Sequence, residues 1–148
     1  MATYPLATRF VHVLGMALLL GGSAGTWGAL RWFEGRPARA FGLAVRYEWL
    51  FWGVVAVMVV TGVGNVGAFG RGLPGPDSAW GATFTAKLLA VAGLLAGSLV
   101  RSLLVERCDD RSAPATRRAA LARVRVSYGA TAWYVVGLLA LAEVLAHG

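Results

Sequence analysis

The chain has 148 residues, of which 57% are hydrophobic and only 14% are charged. An average soluble domain carries roughly 25% charged residues, and a chain this short needs polar side chains to cover its large relative surface. The composition therefore excludes a soluble globular domain and a disordered chain, and the single cysteine excludes a disulfide-stabilised scaffold. The surface of the protein must face an apolar medium.

Four apolar stretches are long enough to cross a bilayer as helices, which takes about 20 residues each. In chain order they cover residues 10–30, 49–69, 80–100 and 126–146. Backbone polar groups in lipid must be paired within their own segment, and no stretch alternates with the period of two that marks a membrane strand. We therefore predict an all-α fold, in which residues 1–148 form one integral membrane four-helix bundle that runs up-down-up-down.

Small residues within the first span predict close helix packing. Gly21 and Gly25 form a small-xxx-small pair, the spacing that lets two membrane helices approach each other. The segment before the fourth span, with Ser112 as a candidate cap and Pro114 at a first helical position, is expected to be helical and to continue into that span.

The arginines predict the orientation of the bundle. Four lie between the first and second spans and seven between the third and fourth, whereas the connection between the second and third spans carries only Arg71. Since basic connections stay in the cytoplasm, both termini are expected on the outer face. This distribution accounts for the net charge of +7 without a nucleic-acid partner. The arginines closest to the fourth span are expected to contact anionic lipid headgroups: Arg117, Arg118, Arg123 and Arg125.

Polar side chains within membrane spans are costly and therefore mark candidate functional residues. One such side chain lies near the outer end of each span: His12, Asn65, Lys87 and Glu143. Residues three and four apart share a helix face, and each of the four continues such a stripe. The stripe of the fourth span runs through Gly129, Ala132, Val136 and Ala140 to Glu143. We predict that the four residues line one outward-opening polar pocket together with Arg9.

The chemistry available in this pocket is narrow. His12 and Met16 place an imidazole and a thioether one turn apart, and Met58 offers a second thioether. These ligands suit Cu(I), and the same pair suits haem iron, so both copper and haem b remain open as cofactors. A symmetric homo-oligomer would bring two copies of His12 together. No P-loop, GxSxG or HExxH motif occurs, which leaves catalysis open but favours a protein that is not an enzyme.

Three segments resemble the copper resistance protein D family of bacterial inner-membrane proteins. They are FVHVLGMALLLGG with its histidine, AVMVVTGVGNVGAF with its Thr-Gly and Asn, and WGATFTAKLLAVAGLLAGSLVRS with its lysine and closing arginine. The resemblance implies copper handling at the cytoplasmic membrane, alongside a periplasmic copper-binding protein. It also implies that His12 is the candidate ligand and Lys87 the family's membrane lysine.

Two other functions remain open. One histidine within the membrane and a lysine in a later helix also resemble, more distantly, the haem-binding membrane protoporphyrinogen oxidase family, which implies a haem-dependent redox enzyme or a b-type cytochrome. Small glycine-rich bundles of this size also serve as accessory subunits of larger membrane complexes. The bilayer is a partner under each interpretation.

Overall fold

The computed structural model describes the backbone of residues 3–67, 75, 77–107 and 114–147, and the side chains of residues 6–64, 75, 77–107 and 118–145. Four α-helices make up nearly all of it: α1 (Thr3–Trp32), α2 (Pro37–Gly67), α3 (Ala79–Glu106) and α4 (Pro114–His147). Each contains a stretch long and apolar enough to cross a membrane, and no strand occurs in the described part of the chain. The predicted all-α four-helix bundle is confirmed.

All four helices extend beyond the spans predicted from hydropathy, and two of them do so by 12 residues. α2 begins 12 residues before residue 49 and α4 begins 12 residues before residue 126, so Arg39 and Arg46 lie in a helix and not in a connection. A helix closes its own backbone hydrogen bonds in water as well as in lipid, and proline suits its first position. The predicted continuation of the basic segment into the fourth span is confirmed; its candidate cap, Ser112, lies outside the described residues.

The helices pack as an antiparallel bundle in which one interface, between α2 and α3, is only weakly packed. We call this interface the thin seam. α1 packs along both α2 and α4, and α3 packs mainly on α4. α2 and α3 approach each other at only a few places, and the backbones of α1 and α3 do not come close to each other within the described residues. The outer surface is strongly apolar, as a lipid-facing surface must be, with side chains such as Val60, Leu89 and Trp133 largely exposed.

The sequence also predicts inward-facing stripes from His12 through Leu19 to Ser23 in α1 and from Lys87 through Ser98 to Arg101 in α3; both face the interior at these later positions, whereas the stripe of α4 does not. Leu19 and Ser23 are buried, and so are Ser98 and Arg101. In α4 the buried face is displaced by about one residue from the predicted one and consists of Val124, Tyr128, Thr131, Val135 and Leu138. One residue turns a helix by about 100°, so Val136, Ala140 and Glu143 lie on the exposed side.

The predicted close approach at Gly21 and Gly25 is wrong. A Cβ atom added to either glycine would meet no atom within 4 Å. The adjacent Gly22 takes that role, because a Cβ there would lie 2.3 Å from Cε2 of Tyr47 on α2. The Tyr47 hydroxyl donates to the Leu19 carbonyl at 3.0 Å and lies 3.0 Å from Oγ of Ser23, which fixes the ring against α1.

Candidate functional site

His12 is held by a hydrogen bond across the interface between α1 and α2. Its Nδ1 lies 2.9 Å from Oγ1 of Thr61. The Thr61 hydroxyl directs its proton to the carbonyls of its own helix, at 2.8 Å from Val57 and 3.2 Å from Met58. Oγ1 therefore accepts from Nδ1–H, and the lone pair of the neutral imidazole lies on Nε2. Metal-binding histidines typically donate the N–H of their other ring nitrogen to a fixed acceptor, which sets the orientation of the ring. The Thr61 hydroxyl is such an acceptor for His12.

Met58 lies in the same interface, one turn before Thr61. Its thioether occupies the space above Gly15, where a Cβ would lie 2.4 Å from Sδ. Gly62 lies beneath the His12 ring, at 3.5 Å from Cε1 for an added Cβ. Met16 is half-buried and packs, like Met58, against the hydrophobic core. The structure thus places the His12 imidazole and the Met58 thioether in the α1–α2 interface, with Met16 one turn from His12 on α1, at the end of the bundle where α1 begins and α2 ends.

Lys87 is half-buried on α3 and close enough to His12 for the two side chains to interact electrostatically. Arg9 and Glu143 are exposed, and the side chain of Asn65 lies outside the described residues. The predicted pocket of these polar residues remains a prediction. In the described part of the chain, no three His, Cys, Asp or Glu side chains come together as metal ligands.

The arginines expected to contact lipid headgroups have different surroundings. Arg118 and Arg123 are exposed on α4. Arg125 on α4 donates to Oε1 of Glu34, which ties α4 to the turn between α1 and α2. The side chain of Arg117 lies outside the described residues. Contact of these arginines with lipid stays a prediction.

A second polar group, which the sequence analysis did not single out, lies about 20 Å along α2 from Thr61. Glu48 on α2 and Arg101 on α3 form a buried ion pair, with 2.6 Å between Oε1 and Nε. Arg101 is 1% exposed, and its guanidinium lies between the rings of Phe51 and Tyr128, at 4.4 and 4.7 Å from their centroids. Its Nη1 donates to Oγ1 of Thr131 on α4 at 2.7 Å.

Further donors saturate the Glu48 carboxylate. The Tyr128 hydroxyl donates to Oε1 at 2.6 Å, and the Ser102 hydroxyl donates to Oε2 at 2.5 Å. Nε1 of Trp52 donates to the Ser102 hydroxyl at 2.9 Å. One carboxylate thus connects α2, α3 and α4 at the level where the basic connections begin. We call Glu48, Arg101, Ser102, Tyr128 and Thr131 the inner polar network.

Glu48 and Arg101 lie one residue outside the second and third spans predicted from hydropathy. A charged residue at that position is expected to mark the end of a span, so neither was predicted to be buried. The available signal was that an acid and a base flank neighbouring spans at the same depth, and such pairs satisfy each other. Arg101 also continues the buried stripe of Leu94 and Ser98 on α3. Charge sign together with helical register would have identified the pair.

A groove of about 210 Å³ opens beside this network, between α2 and α3. Its apolar walls come from Val45, Trp49 and Trp52 of α2 and from Val105 of α3. Glu48 and Ser102 contribute the more buried polar groups, and Glu106 is exposed at the end of α3.

Comparison with known proteins places the chain in a family. Residues 41–145, most of the chain, match the family model of copper resistance protein D. The match covers nearly all of α2, all of α3 and most of α4, while α1 with His12 lies before it. No curated protein and no solved structure matches, and the more distant resemblance to a haem-binding oxidase is not borne out. The chain therefore belongs to the copper resistance protein D family.

Proposed function

We propose that this protein binds or moves copper near the outer face of a bacterial inner membrane, with His12, Met16 and Met58 as its ligands. Family membership supports copper as the substrate. The arrangement at the α1–α2 interface supports the site, because imidazole and thioether groups are soft ligands suited to Cu(I). The observation that carries the proposal is the Thr61 hydrogen bond, which leaves Nε2 of His12 available to a metal ion.

The nearby Lys87 favours movement of copper over storage. When its amine is protonated, Lys87 repels a cation bound at His12, and the repulsion is strong where few water molecules screen it. A site of three neutral ligands beside this charge would hold Cu(I) weakly enough to release it. With both termini outside, Cu(I) would reach the site from a periplasmic copper-binding protein. Arg9, Asn65 and Glu143 would complete the polar entrance.

The copper site is tested by titrating the purified full chain with Cu(I) in competition with a chromophoric chelator. We expect one Cu(I) per folded chain, and His12→Ala should weaken binding at least tenfold because it removes the nitrogen ligand. Thr61→Val keeps the shape of the side chain but removes the acceptor for Nδ1–H, and loss of such a partner typically costs 10–100-fold in metal affinity.

His147→Ala is the matched control, since it removes the only other histidine of the chain. It should leave the Cu(I) affinity unchanged. A folded protein that takes up no Cu(I), or equal affinities for wild type and His12→Ala, would contradict the proposal and favour an accessory subunit of a larger complex.

The orientation is tested by labelling a cysteine introduced at Ala38, an exposed position in the first turn of α2, in a Cys108→Ser background. If the basic connections are cytoplasmic, a membrane-impermeant thiol reagent applied to spheroplasts should label Ala38→Cys only after the membrane is permeabilised. Labelling of intact spheroplasts would place the termini inside and the copper site on the cytoplasmic half.

A further inference from the structure

We propose that the groove between α2 and α3 binds a phospholipid whose headgroup carries a primary ammonium group, such as phosphatidylethanolamine. The groove is lined by these two helices, which pack against each other at only a few places. Its occupant is identified by three features of the groove: its depth in the bilayer, its aromatic walls and the Glu106 carboxylate at its polar end.

The depth of the groove matches that of lipid headgroups. The uncharged part of α2 that follows Glu48 runs over residues 49–67, which is roughly 28 Å of helix, close to the thickness of the hydrocarbon core. Glu48 therefore lies at the boundary of that core, with Val45 on the headgroup side of it and Trp52 on the hydrocarbon side. A lipid in the adjoining leaflet can present its headgroup to the polar end of the groove and an acyl chain to the apolar walls.

The polar end of the groove has a carboxylate that no other described residue uses as an acceptor. Glu48 is already saturated by Arg101, Tyr128 and Ser102. Glu106, by contrast, is exposed and makes no hydrogen bond or ion pair with another described residue. A primary ammonium group could donate hydrogen bonds to this carboxylate, and such charge-assisted bonds are the stronger kind.

The aromatic walls add a second attraction for the same group. Trp49 is 80% exposed, and the faces of indole rings attract ammonium groups. Arg46 and Arg107, which follow Val45 and Glu106 in the sequence, do not line the groove but are both exposed at the same level of the bundle, where long side chains can reach a lipid phosphate. The groove thus offers a negative group, a π face and flanking positive groups, which complements a zwitterionic headgroup. A quaternary choline headgroup has no N–H to donate and would use only the π face.

The proposal is tested by native mass spectrometry of the full chain, released from nanodiscs that contain equal amounts of phosphatidylethanolamine and phosphatidylcholine. We expect one retained phosphatidylethanolamine per chain, with about a tenfold preference over phosphatidylcholine, the size of effect expected for a hydrogen bond to a charged group. Stepwise N-methylation of the headgroup should lower retention in the same order as the number of N–H donors.

Two rim variants locate the lipid without disturbing the inner polar network. Glu106→Gln should abolish the headgroup preference, and Trp49→Leu should reduce retention of both lipids. Trp133→Leu on α4 is the matched control, because Trp133 is 77% exposed and does not line the groove. Equal retention of the two lipids by the wild type, or a headgroup preference that survives Glu106→Gln, would overturn the proposal.

Discussion

Replacement of Arg101 by leucine is expected to lower the free energy of unfolding by about 3–5 kcal/mol, the usual cost of removing one partner of a buried ion pair. The guanidinium is 1% exposed and serves the Glu48 carboxylate and the Thr131 hydroxyl. Its loss leaves Glu48 negatively charged at the boundary of the hydrocarbon core. Denaturation of the purified protein in mixed micelles, followed by circular dichroism, measures the change.

A double-mutant cycle separates this ion pair from simple packing loss. Glu48→Gln removes the charge; its single amide oxygen can accept from one of the Tyr128 and Ser102 hydroxyls, and its amide nitrogen can donate to the other. In the Glu48→Gln background, Arg101→Leu no longer leaves an unpaired buried charge. It should therefore lower the free energy of unfolding clearly less than it does in the wild-type background. Arg39→Leu removes an exposed arginine of α2 and should leave stability within about 0.5 kcal/mol. Additive effects of the two substitutions would show that the ion pair contributes nothing beyond packing.

Gly22→Ala is expected to lower the free energy of unfolding by about 1–3 kcal/mol, the typical cost of adding a methyl group to a filled interface. The new Cβ would lie 2.3 Å from a ring atom of Tyr47. Tyr47 cannot turn away cheaply, since its hydroxyl is bonded to the Leu19 carbonyl and to Ser23. Thermal unfolding of the full chain in detergent provides the measurement.

Gly25→Ala is the matched control on the same helix. A Cβ at this position meets nothing within 4 Å, and alanine is the better helix former. We expect a melting temperature equal to or slightly above that of the wild type. Similar losses for Gly22→Ala and Gly25→Ala would mean that α1 packs through a different face.

The sequence was sufficient to predict the number of helices and their class. Length and hydropathy define a membrane helix, because lipid excludes every unpaired backbone group. The helix ends were less predictable, since the twelve-residue extensions of α2 and α4 are polar on one side and resemble connections in a hydropathy profile. Pro37 and Pro114 were the better boundary signals, as proline at the first helical position costs no hydrogen bond.

The candidate site was predictable in its residue types but not in its partners. His12 was identified because an imidazole within a span is rare, yet its bond to Thr61 depends on the register between α1 and α2. The same limit applies to the inner polar network, where Glu48 meets donors about 50 and 80 residues away. In α4 a displacement of one residue moved Glu143 from the predicted inner face to the exposed side, because glycine and alanine leave both faces similar in hydropathy.

The thin seam between α2 and α3 has a consequence for biosynthesis. The ribosome delivers the helices in chain order, so α3 enters the membrane before α4, the helix on which it mainly packs. At that stage Arg101 and Glu48 have each other and Ser102, but neither Thr131 nor the Tyr128 hydroxyl is present. A chain that terminates before α4 would therefore expose an incompletely hydrogen-bonded ion pair, which membrane proteases could recognise. Insertion of α4 completes the hydrogen bonds of this pair and is the step that protects the chain from degradation.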